Sequence, residues 1–213
     1  MISQTNQSAS GVLIVISGPS GVGKGTICKA LCERNTDVVM SISATTRNPR
    51  PEDIDGVTYF FLTEDDFLRK IKEGAFLEYA SVHGHYYGTP EEHVIDTLKS
   101  GKNVILEIDV AGAAQVRKAY PDALTIFIAP PSLDVLSQRL TGRGTETDED
   151  KKLRLNNAID EIKESKHYGY IIINDDLDRA IADIETVIQA QKFQAKVMEP
   201  VIRSVLERKE NHE

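Results

Sequence analysis

An apolar run, VLIVIS at 12–17, passes directly into Gly18-Pro19-Ser20-Gly21-Val22-Gly23-Lys24-Gly25-Thr26, and a helical pattern follows at once. Glycines let such a loop turn its backbone N–H groups inward, the next helix adds its positive end, and a lysine reaches the outer oxygens of a bound polyphosphate. The G-x-x-x-x-G-K core requires a strand before it and a helix after it, and both are legible here. Gly25 stands where Ser or Thr is usual, but Thr26 keeps a hydroxyl close. The loop predicts a purine triphosphate with Mg²⁺ as ligand.

The rest of the chain fits that start. NVILEID at 103–109, LTIFIA at 124–129 and YIIIN at 170–174 are further short, β-branched runs, suited to strands covered on both faces. Helical patterns separate them, which predicts an α/β fold with a central parallel sheet flanked by helices. Thr89 is expected to cap a helix that opens with Pro90, Glu91 and Glu92. The last helix is expected to start near Asp176 and to be kinked or interrupted at Pro200, with ERKENHE fraying at the end. Between residues 41 and 89 the β-rich segments VTYFFL and FLEYASV flank the helical EDDFLRKIKEG, so an inserted mixed α+β subdomain is expected. Residues 11–40 and 90–213 then form the core, residues 1–10 a flexible tail, and the polar stretch within about 139–154 a lid.

A length of 213 residues, 40% apolar and 27% charged, describes a soluble globular chain. No apolar run approaches a membrane span, and no secretory pattern opens the sequence, so a cytoplasmic protein is expected. Cys28 and Cys32, four apart on one helix face, read as reduced thiols rather than as a disulfide or metal site. The net charge of -8 argues against general nucleic-acid affinity. Self-association into a homo-oligomer stays open. In so acidic a chain, TTRNPRP at 45–51 is unusual: Arg47 and Arg50 lie in a segment that its prolines bar from helix. By itself this reads as a solvated basic loop.

SGPSGVGKGT, SISATTRNPRP, DGVTYFF, EYASVHGHYYGTP, ILEIDVAGA, IAPPS and RLTGRGTETDED follow one another in that order. Together they resemble guanylate kinase, over about residues 11–195. The resemblance implies the P-loop nucleoside monophosphate kinase fold, with a GMP-binding subdomain at 41–89, and Mg²⁺-dependent transfer from ATP to GMP, with dGMP also accepted. Donor binding falls on Gly18, Ser20, Gly21, Val22, Gly23, Lys24, Gly25 and Thr26, with Asn174 at the adenine end. Acceptor binding falls on Ser43, Arg47, Arg50, Tyr59, Glu78, Tyr87, Thr89 and Asp109. Lys24, Arg47, Arg139, Arg143 and Arg154 would offset the charge of the transferring group. Thr26 and Glu107 would meet the metal through water.

Hydrogen-bonding chemistry agrees with these roles. Guanidinium forks suit a phosphate dianion, and Tyr59 and Tyr87 add neutral donors. A carboxylate at Glu78 offers two acceptors to the N1–H and 2-amino donors of guanine, which adenine lacks. Thr89 stands where its hydroxyl can reach O6. Glu107 and Asp109, two apart at a strand end, are expected on one face near the ligand crevice. No general base is nominated, because a phosphate monoester is already ionised near neutral pH. His83 and His85 are read as peripheral. Ser81, His85 and Ala111 depart from the residues usual in the family and touch only details of the acceptor loop. An inert scaffold of the same fold is the main rival reading, and the presence of Lys24, Arg139 and Arg143 speaks against it.

Overall fold

The computed structural model describes residues 11–82, 84–141 and 148–210. The expected tail, His83, and the middle of the expected lid with Arg143 lie outside the described residues. The chain opens with β1 (Leu13–Ser17), α1 (Lys24–Arg34), β2 (Val38–Met40), β3 (Ala44–Thr45) and β4 (Phe60–Phe61). It continues through α2 (Glu64–Lys72), β5 (Phe76–Val82), β6 (His85–Pro90), α3 (Glu91–Lys99), β7 (Asn103–Glu107) and α4 (Val110–Ala119). After β8 (Leu124–Ala129) come α5 (Leu133–Thr141), α6 (Asp148–Lys163), β9 (Tyr170–Ile173), α7 (Leu177–Gln191) and α8 (Ala195–Glu210).

Five strands form a parallel sheet in the order β2-β7-β1-β8-β9. Alternation along β1 sends Ile14 and Ile16 to one face and Leu13 and Val15 to the other. Ile27, Leu31, Leu136, Ile181 and Ile184 cover the first face, while Val94, Leu98, Ala113 and Val116 cover the second. Each Val, Leu or Ile among them, fully buried, contributes roughly 1.5–3 kcal/mol. Cys28 is buried and Cys32 half-buried, both free, and burial raises the Cys28 thiol pKa.

The expectation that every strand is covered on both faces fails at β9. Ile172 is buried, but Ile171 and Ile173 are 52% and 53% exposed. β9 is an edge strand, and α3 and α4 pack over β7 and β1 instead of reaching it.

A second, mixed sheet runs β4-β3-β6-β5, with β3 and β4 parallel and the other pairs antiparallel. Helix α2 starts at Thr63, whose hydroxyl accepts from the Asp66 N–H at 3.1 Å, and it lays Phe67 against Phe76 and Tyr86. Within VTYFFL only Phe60–Phe61 are strand; Thr58 turns back on Ile54 instead.

Three helix boundaries also differ from expectation. Thr89 is the penultimate residue of β6 and caps nothing, because its hydroxyl is used by Glu78; Pro90 occupies the cap position of α3. β7 stops at Glu107, so Asp109 does not share a strand face with it. Asp109 instead caps α4, its Oδ1 accepting from the Gly112 N–H at 2.7 Å. Asp176 caps α7 as expected, but the chain breaks after Gln191, before Pro200, which lies inside α8. A single proline there forfeits one helical hydrogen bond, and the helix continues.

Candidate active site

The phosphate loop leaves the carboxyl end of the central strand β1, where open α/β sheets form their ligand crevice. Gly23 precedes α1 with φ 101°, a left-handed conformation that glycine adopts without strain. A Cβ on it would lie 2.7 Å from Asn174 Nδ2. That nitrogen donates to the Val22 carbonyl at 2.8 Å, so the loop is held from outside by a buried amide on the end of β9. Arg139 reaches the same point from α5, donating to the Val22 carbonyl at 3.4 Å and the Asn174 carbonyl at 3.1 Å.

Lys24 folds back over the loop, donating to the Gly18 and Pro19 carbonyls at 2.6 and 3.2 Å. Burial lowers its pKa, and Glu107, Glu161 and Asp109 partly restore it. Burial likewise raises the Glu107 carboxyl, which Lys24 opposes. A Cβ on Gly25 would lie 3.6 Å from both carboxylate oxygens of Glu107, so the residue that departs from the usual motif faces this carboxylate. Thr26 is exposed beside it. On the other side of the loop, Arg154 donates to Ser20 Oγ at 3.4 Å, and Glu161 Oε2 accepts from the Ser20 N–H at 3.3 Å. Arg154 and Glu161 stand seven apart on α6 and therefore on one face.

A second pole lies across the crevice. Glu78 on β5 and Thr89 on β6 are both buried and directly opposite in register, and the Thr89 hydroxyl donates to Glu78 Oε1 at 2.7 Å. Burial raises the Glu78 pKa; the bond from Thr89 opposes this, and the charge of Asp109 adds to it. A Cβ on Gly112 would come within 2.9 Å of Glu78 Oε2 and 3.5 Å of Asp109 Oδ1. The start of α4 thus closes on the Glu78 carboxylate only because residue 112 has no side chain.

Arg47 lies near the rings of Tyr59 and Phe61, 5.4 and 5.8 Å from their centroids, and Tyr59 meets Tyr87 edge-on at 6.1 Å. Arg47 Nη2 pairs with Asp53 Oδ2 at 2.8 Å, and the same oxygen accepts the Arg50 backbone N–H at 2.7 Å. These bonds, the Arg50 N–H first, hold the Asp53 carboxyl below its usual range. Arg50 is exposed, and Ser43 is half-buried at the start of β3 with its carbonyl bonded to the Phe60 N–H. Ser81, His85 and Ala111 are exposed.

Among the described residues, the expected ones gather locally into a group around the phosphate loop, a group of Glu78, Thr89 and Asp109, and a group of Arg47, Tyr59 and Tyr87. Sequence reasoning missed Asp53, Gly112 and Glu161. Asp53 had a signal in its place three residues after Arg50; Glu161 had none, since only the fold brings α6 to the loop. Among the described residues, no three His, Cys, Asp or Glu side chains form a metal-binding group, and no helix is long and apolar enough to cross a membrane.

A family model described as Guanylate kinase matches residues 10–191. The guanylate kinase of Caldanaerobacter subterraneus subsp. tengcongensis is 52% identical over 182 residues, which is 85% of this chain and 88% of that protein. That of Clostridium perfringens (strain SM101) is 50% identical over 192 residues, 90% and 89% of the two chains. A crystal structure of guanylate kinase from Anaplasma phagocytophilum superposes with a TM-score of 0.69 at 31% identity, covering 88% of this chain and 89% of that one. The family model and these relatives cover most of the chain, and the chain belongs to the guanylate kinase family.

Proposed function

We propose that the protein transfers the γ-phosphoryl group of ATP to GMP, or to dGMP, giving ADP and GDP or dGDP, with Mg²⁺, in the cytoplasm. The observation that carries this reading is the buried Glu78–Thr89 pair, a carboxylate and a hydroxyl held inside the second sheet where apolar packing would be cheaper. Guanine supplies two donors to such a carboxylate through N1–H and its 2-amino group. As these replace the Thr89 proton on Glu78, the hydroxyl becomes free to donate to O6. Adenine offers neither donor and leaves a buried carboxylate unpaired, which rejects it strongly.

Each remaining residue has a part in this reading. The backbone N–H groups of residues 18–26, the amino end of α1 and Lys24 hold the triphosphate, and Asn174 sits at the adenine end while fixing Val22. Arg47, Arg50, Tyr59 and Tyr87 clamp the GMP phosphate, with Ser43 and Asp109 beside the base. Residues 41–89 then form the acceptor-binding subdomain, and residues about 139–154 the lid. Arg139, Arg143 and Arg154 neutralise the charge that spreads over the transferring group. The acceptor oxygen is already ionised, so no residue removes a proton from it.

The donor set fits a hard divalent cation: the Thr26 hydroxyl and the Glu107 carboxylate, beside the position of the outer phosphates, would hold it through water, which suits an ion that keeps several waters. Bound Mg²⁺ would neutralise the β- and γ-oxygens.

The test is an ADP-release assay with Mg²⁺ and ATP, comparing GMP, dGMP, AMP, CMP and UMP. Turnover with GMP and dGMP alone is expected. Equal turnover with AMP would refute the role given to Glu78 and Thr89.

A further inference from the structure

The two arginines expected to meet the acceptor phosphate converge on one oxygen. Asp53 Oδ2 accepts from Arg47 Nη2 at 2.8 Å and from the Arg50 backbone N–H at 2.7 Å. The Asp53 N–H donates back to the Arg50 carbonyl at 3.0 Å, which closes residues 50–53 into a turn. The carboxylate is therefore fixed by backbone bonds that do not depend on the Arg47 side chain.

A guanidinium on a long stem loses rotamer freedom when it binds an anion, and that loss weakens binding unless the side chain is ordered beforehand. Arg47 is ordered by the protein itself. Besides the bond from Nη2 to Asp53, its Nη1 donates to the Asn48 carbonyl at 2.7 Å, its guanidinium carbon lies 5.4 and 5.8 Å from the ring centroids of Tyr59 and Phe61, and its backbone N–H donates to Thr45 Oγ1 at 3.2 Å. Only 13% of the Arg47 side chain and 8% of the Asp53 side chain are exposed. Each Nη nitrogen carries a second N–H, so these bonds leave donors for a phosphate. Arg50 joins the cluster through its backbone, and the residue is exposed.

We propose that Asp53 is a positioning residue for phosphoryl transfer, one that stays bound to Arg47 while the acceptor is held and aims its guanidinium at the acceptor phosphate. This rests on the reading of Arg47 as part of the acceptor clamp. The rival role for a carboxylate between two such arginines is that of a stand-in, which the phosphate expels. The bonds speak against expulsion: the Arg50 N–H and the return bond to the Arg50 carbonyl keep the carboxylate in place whatever Arg47 does, and losing Arg47 would leave a shielded negative charge without its counter-ion.

Steady-state ADP release with GMP varied, in the full chain and in Asp53→Asn, Arg47→Ala and the double variant, tests this. Asp53→Asn keeps the size of the side chain and an oxygen for the Arg50 N–H, and removes the charge that holds Arg47. It should raise the KM for GMP about tenfold or more, the effect of a lost charge-assisted bond, and leave the KM for ATP within about twofold, which also reports an intact fold. In the Arg47→Ala background the same substitution should change the KM for GMP by less than about twofold, since no guanidinium remains to be aimed. NMR relaxation of the Arg47 Nε–H reads the coupling without turnover: ordered in the parent chain and mobile in Asp53→Asn. A parent chain that turns over no GMP while Arg47 still loosens in Asp53→Asn would overturn the acceptor assignment and leave the Asp53–Arg47 coupling standing. The proposal itself is overturned by an unchanged KM for GMP in Asp53→Asn, by a lowered one, which would make Asp53 the stand-in, by an equal loss with and without Arg47, or by an Arg47 side chain equally ordered in both chains.

Discussion

Glu78→Gln tests the base-reading role proposed for Glu78 apart from everything else in the molecule. The substitution keeps the volume and leaves a carbonyl oxygen to accept from the Thr89 hydroxyl, now 2.7 Å from Glu78 Oε1. It replaces the other acceptor with an NH₂ group, which would point at a guanine donor. Losing one charge-assisted hydrogen bond costs about 1.5–3 kcal/mol, and a donor left facing a donor costs about 1–3 kcal/mol more. At about 1.36 kcal/mol per decade, kcat/KM for GMP should fall at least about a hundredfold. The KM for ATP should stay within about twofold, since Glu78 lies outside the phosphate loop's contacts.

Stability should move the other way. Burial and the charge of Asp109 raise the folded pKa of Glu78 above its unfolded value, so the ionised form is costly in the fold. A raised carboxyl pKa means that the folded chain holds the proton more tightly; stability is therefore lost as pH rises through the folded value. Glutamine removes that cost, so the Tm of the variant should lie above that of the parent chain. The gain should be present at pH 8 and shrink on acidification toward the ordinary carboxyl range of about 4. Steady-state ADP release with each substrate varied, together with thermal melts at several pH values, reads both effects. A parallel rise in the KM for ATP, or a Tm lowered at pH 8, would refute the reasoning.

Lys24→Ala should reduce phosphoryl transfer by about a thousandfold or more while far-UV circular dichroism is unchanged, because the lost group acts on developing charge rather than in the core. Gly112→Ala should lower kcat/KM for GMP about tenfold or more, by forcing a methyl to within 2.9 Å of Glu78 Oε2, with ATP binding by calorimetry unaffected. Glu161→Gln should lower the KM for ATP several-fold, since it removes a carboxylate that occupies the Ser20 N–H beside Lys24; a raised KM would make that contact a support of the loop instead.

Much of this was legible in the sequence where local chemistry decides it. The phosphate loop, LTIFIA as β8 and the cap at Asp176 needed only spacing and turn residues. Thr-Pro-Glu-Glu is a sound local signal for a cap at Thr89, but the cross-strand carboxylate of Glu78, eleven residues away, outcompetes it. Asp109 reads as a strand residue in the sequence because the apolar run continues through Ile108, one residue past the last pairing of β7. The open face of β9 was beyond reach, since YIIIN is equally apolar whether or not a helix lies above it. Asn174 shows the same limit: its contact with Val22 spans 152 residues, and only the sheet order brings the two together.

Gln115 on α4 binds the edge of β5 as another strand would, accepting from the Tyr79 N–H at 3.2 Å and donating to the Tyr79 carbonyl at 3.0 Å. The outer border of the second sheet is thereby blocked at one residue against pairing with a foreign strand. The same two bonds act mechanically as a pin. Tyr79 cannot move away from α4 unless both bonds break, and it stands next to Glu78 in β5. The pin thus fixes the distance between α4, which carries Gly112 and its cap Asp109, and the strand that carries Glu78.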